Sequence, residues 1–303
     1  MVKILVFDTE TTDLPPPMPG SNWFKQESYG KKLLSFTDFK KSNSTWSKYL
    51  EKWPSIIQLS FILYDTELSE NAIIFNKFIE LPNHIVISKN SAEIHHITRE
   101  KIASADVINK SNIHAALDEF TNAVKSADVV VGHNVQFDRK MVIAELIRLF
   151  HNEPNSSLLT AIKEMMKDNH FECTMKKTKP ICQLKKEYSY LDKKTGIKKS
   201  VFKIKSPKLI EAYRHFFGHE PNPTLMHDAL NDVVVCLRVY CISMNKGFDV
   251  CNTNKTITEI IMKLAPPGYT CVINKQMKHK NKTKNNKNKT NKTNKTNKTM
   301  KKR

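Results

Sequence analysis

Four acidic residues and one histidine stand out by type and spacing. Asp8 and Glu10 close the first apolar run, KILVFDTET. Alternate side chains of an extended strand share a face, so these two carboxylates lie side by side. Held that close they repel each other unless a cation sits between them. Asp138 follows VVVGHNVQF, at the step from an apolar run into a helical pattern, and Asp232 opens the last long helix, five residues after His227. Each alone has an ordinary explanation, as a strand running into a polar turn or as an acid favoured by a helix dipole. Together they supply four carboxylates and a histidine, which is what a two-metal phosphoryl-transfer centre needs. Five residues along a helix rotate the chain by about 500°. His227 must therefore precede the helix, with Asp228 as N-cap, to share a site with Asp232.

The elements that must position these groups follow from periodicity. Residues 2–9, 55–65 and 72–81 read as three successive strands. SAEIHHITREKI contains a short helix capped by Thr98, and NIHAALDEFTNAVKSA carries Ile113, Leu117, Phe120 and Val124 at helical spacing. DVVVGHN reads as a buried strand, followed by helices in FDRKMVIAELIRLF and SLLTAIKEMMKDN. SPKLIEAYRHFFG starts a helix with Ser206 as N-cap and Pro207 at its first position, and residues 228–245 form the last long helix. This order predicts an α/β fold, with a mixed central sheet of about five strands, the first three antiparallel, flanked by helices.

Composition places the charge. The net charge is +19, but residues 275–303 hold twelve lysines and one arginine against no acid, which leaves +6 for the preceding chain. That Asn-Lys-Thr-rich tail has almost nothing apolar to bury and reads as a disordered arm, suited to phosphate backbones or to no partner at all. Between Lys176 and Lys205 lie eleven lysines against Glu187 and Asp192, with Tyr188, Tyr190 and Phe202 interleaved. A hairpin around Gly196 there suits either a nucleic-acid strand or plain solvent. The six cysteines lack CxxC spacing and read as reduced thiols, which argues against zinc. Lys3 is followed by only four apolar residues before Asp8, and no later run approaches the roughly 18 of a membrane span. A soluble intracellular protein, cytoplasmic or nuclear and not secreted, is expected, with no membrane partner.

FDTETTDL, VVGHNVQFD and HDALNDV, in that order, resemble the three motifs of the DEDDh 3′–5′ exonucleases, the proofreading-subunit type of the ribonuclease H-like superfamily. IIQLSFILYD, AEIHHIT and CTMKKTKPIC extend the resemblance, which covers roughly residues 1–246. The segment order also resembles exonucleases carried by large DNA viruses. The resemblance implies that Asp8, Glu10, Asp138 and Asp232 hold two Mg²⁺ or Mn²⁺ ions and that His227 is the general base. A tyrosine marks the sister subfamily four residues before the last aspartate; Asp228 stands there, in keeping with the histidine form. Thr9, Thr11 and Leu14 resemble the segment that binds and wedges the terminal nucleotide. His95 resembles the loop histidine beside that nucleotide, and Asn134, with His133, belongs to the turn before Asp138. His96 replaces the usual glycine of the loop, and Asp13 and the aromatic-rich segment of about 15–54 depart from the compact bacterial pattern.

The implied activity is hydrolysis from the 3′ end of single-stranded or frayed DNA, releasing nucleoside monophosphates. DNA is preferred over RNA, and a polymerase or a replication or repair assembly is a possible partner. An exoribonuclease of the same fold and an inactive nucleic-acid-binding module are the alternatives; a haloacid-dehalogenase-like phosphatase fits less well, because Glu10 stands where its second aspartate belongs. The expected organisation is an exonuclease domain over 1–250, with the insertion and the basic hairpin at about 176–205, then an extension over 251–274, then the tail.

Overall fold

The computed structural model describes residues 2–15, 50, 52–193, 196–244 and 248–271. Most of the 15–54 insertion and all of the 275–303 tail lie outside these. Six strands form the central sheet: β1 (Lys3–Thr11), β2 (Ile56–Asp65), β3 (Ile73–Ile79), β4 (Lys110–Ser111), β5 (Val129–Gly132) and β6 (Phe171–Cys173), in the order β4-β3-β2-β1-β5-β6. β1 pairs antiparallel with β2, and β2 with β3, while β1/β5, β3/β4 and β5/β6 are parallel. This is the ribonuclease H-like mixed sheet, with its first three strands antiparallel as expected. β4 and β6 are additions to the predicted set. At two and three residues they carry no readable period.

The helices are α1 (Lys89–His95), α2 (Arg99–Ser104), α3 (Ile113–Ser126), α4 (Gln136–Asn152), α5 (Ser156–Met165), α6 (Thr174–Cys182), α7 (Leu209–Phe217), α8 (Ala229–Met244) and α9 (Lys255–Leu264). Strand alternation sorts them onto two layers. Leu5 and Phe7 of β1 and Leu59, Phe61 and Leu63 of β2 join α3, α4 and α5 in one core, where Phe7 and Phe61 pack on Phe120. Ile4 and Val6, opposite Tyr64 and Ile62, meet Val233, Val234 and Leu237 of α8 on the other face. Residues 233–239 of α8 are buried without a break, so this helix is enclosed all round and, Arg238 apart, apolar there, as a helix between two layers must be.

One buried charge ties α8 to the chain that follows it. Arg238, fully buried, donates to both carboxylate oxygens of Asp249 (2.8 and 2.6 Å), to the Tyr269 hydroxyl (2.5 Å) and to the Tyr213 hydroxyl. Its guanidinium lies 3.9 Å from the Phe217 ring centroid. Such a charge is tolerated in a core because every donor is directed at an acceptor or a π face.

Two expectations are corrected. α7 starts at Leu209 and not at Pro207: the Pro207 carbonyl accepts from His133, and the Lys208 N–H donates to Glu211 instead, at 2.8 Å. Cys251 and Cys271, with Cα atoms 5.8 Å apart, form a disulfide. Only Cys173, Cys182, Cys236 and Cys241 are free thiols, all buried. The chain folds back after α9 to bring the pair together, which spacing along the sequence does not reveal. No described helix is long and apolar enough to cross a membrane.

β7 (Lys185–Leu191) and β8 (Lys198–Ile204) form a separate antiparallel ribbon, joined through a turn containing Gly196 at φ 65°. Every residue of both strands is exposed.

Candidate active site

The site begins where β1 and β5 part. Their pairing ends at Val6 and Val131, and β5 ends at Gly132, so β1 runs on with one edge open. Asp138, in the first turn of α4 and 3% exposed, fills that gap: its Oδ1 accepts the Thr9 N–H at 3.1 Å and the Thr9 hydroxyl at 2.8 Å. The turn before α4 is tight. Asn134 has φ 66°, and a Cβ on Gly132 would meet Val135 Cγ2 at 3.0 Å. His133 fixes the turn from the side, bonding Thr174 Oγ1 at 2.9 Å and the Pro207 carbonyl at 3.1 Å. Burial holds its pKa down at about 4, so it is neutral.

On the α8 side of the sheet, the apolar row of Ile4 and Val6 gives way to Asp8 and Glu10. The facing positions change with them, to Ser60, Asn76 and Gln58. Gln58, 1% exposed and directly opposite Glu10, is a residue whose role sequence reasoning missed. Its Oε1 accepts the Ala229 N–H at 3.3 Å, and its Nε2 donates to Asp228 Oδ2 (3.2 Å) and to Asn76 Oδ1 (3.0 Å). Asp228 Oδ1 accepts the Asn231 N–H at 3.2 Å, capping α8. The sheet thus clamps the start of α8 through one amide side chain.

That clamp sets the other half of the site. His227, exposed and at φ 62°, lies outside the helix, and its N–H donates to Asp232 Oδ2 at 3.2 Å. Glu10, His227 and Asp232 each present an atom within 4.8 Å of the others. Asp232 Oδ1 is buried and has no hydrogen-bond partner. Burial, then mutual repulsion, pushes the acids up: Asp8 is raised by burial and by Asp138, Asp232 and Glu10; Glu10 reaches about 9 by burial and by Asp232 and Asp138. Burial takes Asp138 to about 7 against its bonds from Thr9, and Asp232 to about 7 with Asp228 adding to it. A buried carboxylate oxygen without a donor, Asp232 Oδ1, among three other carboxylates and a histidine, fits a divalent cation held by oxygen ligands.

The other predicted residues are distributed as follows. Thr11 is buried, its hydroxyl on the Asp13 carbonyl at 2.8 Å, and Leu14 is 69% exposed. His95 is buried beneath β1: Nδ1 accepts the Ile97 N–H at 3.0 Å, so Nε2 carries the proton and donates to the Thr11 carbonyl at 3.2 Å. Both its nitrogens are committed to backbone. His96 ends α1 in the left-handed region, at φ 55°, a conformation glycine takes more readily. Asn134 is exposed.

A metal-ready cluster of carboxylates at the open edge of a ribonuclease H-like sheet defines a class of site. The Exonuclease family profile (RNase_T) matches residues 5–240, and the chain belongs to that family. No curated protein sequence matches significantly. Among solved structures, cell-death related nuclease 4 aligns at 13% identity over 81% of this chain and 64% of its own (TM-score 0.44). E. coli exonuclease I in complex with a dT13 oligonucleotide aligns at 13% over 81% and 42% (TM-score 0.45). The zinc-bound form of the E. coli exonuclease I–ssDNA complex aligns at 13% over 86% and 42% (TM-score 0.46). The chain thus spans less than two thirds of the length of these proteins.

Proposed function

We propose that the protein is a metal-dependent 3′–5′ exonuclease of the histidine-bearing type, removing nucleoside monophosphates from single-stranded or frayed DNA. The convergence of Asp8, Glu10, Asp138 and Asp232 from three elements, with His227 at the rim, carries this reading. The four acids would hold two Mg²⁺ or Mn²⁺ ions, which when bound supply positive charge at the scissile phosphate and acidify water. Partial desolvation of the otherwise exposed His227, and then the nearby Lys208, lower its pKa, so its imidazole is neutral at pH 7 and free to take the proton of the attacking water. The water oxygen bonds to phosphorus, the bond to the 3′ oxygen breaks, and that oxygen takes a proton from solvent. Thr9 orients Asp138, and His95 holds Thr11; the exposed Leu14 and Asn134 side chains are left to meet the terminal nucleotide.

DNA is the proposed substrate over RNA because the motifs resemble the proofreading type. A polymerase or repair assembly is a proposed partner, and residues 1–250 are proposed as the catalytic unit. The test is hydrolysis of matched 5′-labelled DNA and RNA single strands with Mg²⁺ or Mn²⁺, alongside Asp8→Ala. A ladder shortening from the 3′ end, absent in the variant, is expected. A ladder that persists in the variant would sink the assignment, and no ladder on either strand would favour the binding module.

A further inference from the structure

The β7–β8 ribbon presents two unlike faces to solvent. Register places Lys186 opposite Lys203, Tyr188 opposite Val201 and Tyr190 opposite Lys199 on one of them. No acid stands among these six. The reverse face carries Glu187 and the more apolar Phe202 and Leu191. Between Lys185 and Lys205 the chain has eight lysines against two acids, one of which, Asp192, pairs with Lys199. Tyr188 and Tyr190 are 42% and 50% exposed. Aromatic rings left in water on a two-stranded ribbon forgo the burial that normally stabilises them, and such a ribbon is marginal by itself.

The base of the ribbon adjoins the candidate active site. The Lys205 N–H closes it on the Leu184 carbonyl at 2.8 Å. Two residues on, the Pro207 carbonyl bonds His133, in the turn that delivers Asp138. The ribbon is thus anchored, through residues 205–207, to the turn that carries Asp138.

We propose that the Lys186/Tyr188/Tyr190 face of the ribbon is a platform for unpaired nucleic acid, the two tyrosines stacking on bases and Lys186 and Lys203 meeting phosphates. The tyrosines lie two residues apart along the strand, about 7 Å, so each ring can take its own base. Duplex is disfavoured because its bases already cover one another's π faces. This deepens the nuclease reading and rests on it, naming what holds the substrate away from the chemistry.

The test uses the full chain, wild type against Tyr188→Ala/Tyr190→Ala and Lys186→Gln/Lys203→Gln, all at exposed positions. Fluorescein-labelled single-stranded DNA of mixed sequence and its duplex are titrated in EDTA, and turnover of a dinucleotide and of the long strand is followed with Mg²⁺. The tyrosine pair should weaken single-strand binding about thirtyfold or more, since two stacking contacts are lost, and leave dinucleotide turnover unchanged. The lysine pair should flatten the salt dependence by roughly 1.4 in log–log slope. Unchanged affinity and slope, a loss confined to duplex, an equal loss on the dinucleotide, or a wild type that binds no single strand would each overturn the platform. A wild type that binds but hydrolyses nothing defeats the nuclease reading alone, and the affinity comparison still decides the ribbon.

Discussion

Asp138 has two partners to satisfy, the Thr9 donors beneath it and whatever charge sits above it, and substitutions can separate them. Asp138→Asn keeps an oxygen for Thr9 and loses the negative charge. It should fold with little change in Tm and retain less than about a tenth of wild-type turnover; retained activity would remove Asp138 from the site. Asp138→Ala strands the buried Thr9 N–H as well, adding about 1–3 kcal/mol of destabilisation that thermal unfolding would read. His227→Ala should lower kcat by about 10²–10⁴. Because its pKa lies below the usual 6.5, the wild-type rate should climb with pH through an acidic limb that the variant lacks. An unchanged pH profile would assign that limb elsewhere. The acids themselves were legible in the sequence, since a strand period of two and three helix or strand ends point at one edge. Gln58 was not legible: within IIQLSF it reads as the polar half of an alternation, and only the arrival of α8 from 170 residues on makes it a clamp.

At the scale of elements, the start of α8 is the joint on which His227 and Asp232 both depend. Gln58→Leu should leave the Ala229 N–H without its acceptor, costing about 1–3 kcal/mol, and should lower kcat well beyond what KM reports. Equal activity at reduced Tm would mean that the clamp is structural only. Further along the same helix, Arg238→Ala should cost about 3–5 kcal/mol by leaving Asp249, largely shielded from solvent, without its partner. A Tm within a degree or two of wild type would show that the Asp249 segment does not depend on α8. Sequence reasoning located most of the long elements to within a residue or two because their apolar periods are sustained, though it ran the helix of SLLTAIKEMMKDN past Met165, where α5 ends. It misjudged the start of α7, where Ser206 and Pro207 spell a cap and a first turn, because the Pro207 carbonyl is claimed by His133 across the fold. The Cys251–Cys271 disulfide was hidden for the same kind of reason. Both depend on chain returns that leave no local signal.

For the whole molecule, the carboxylate cluster is a strain on the metal-free fold, and pH should reveal it. Glu10 at about 9 and Asp138 and Asp232 at about 7 bind protons in the folded state that the unfolded chain has already released. Their contribution to stability is full below the ordinary carboxylate range and is lost as pH rises through 7 to 9. His133 works in the opposite sense, but only below 6.5. In EDTA, Tm should therefore fall between pH 6.5 and pH 9, and Mg²⁺ should recover more of it at pH 9 than at pH 6.5. A flat Tm in EDTA would contradict the crowding of these acids. That crowding is possible only because β5 stops at Gly132. Were β5 two residues longer, a carbonyl would meet the Thr9 N–H, Asp138 would be turned away, and the sheet would seal. The reach of the candidate site is thus set by where a strand ends, so changes in this loop's length should control activity more sharply than most changes in its side chains.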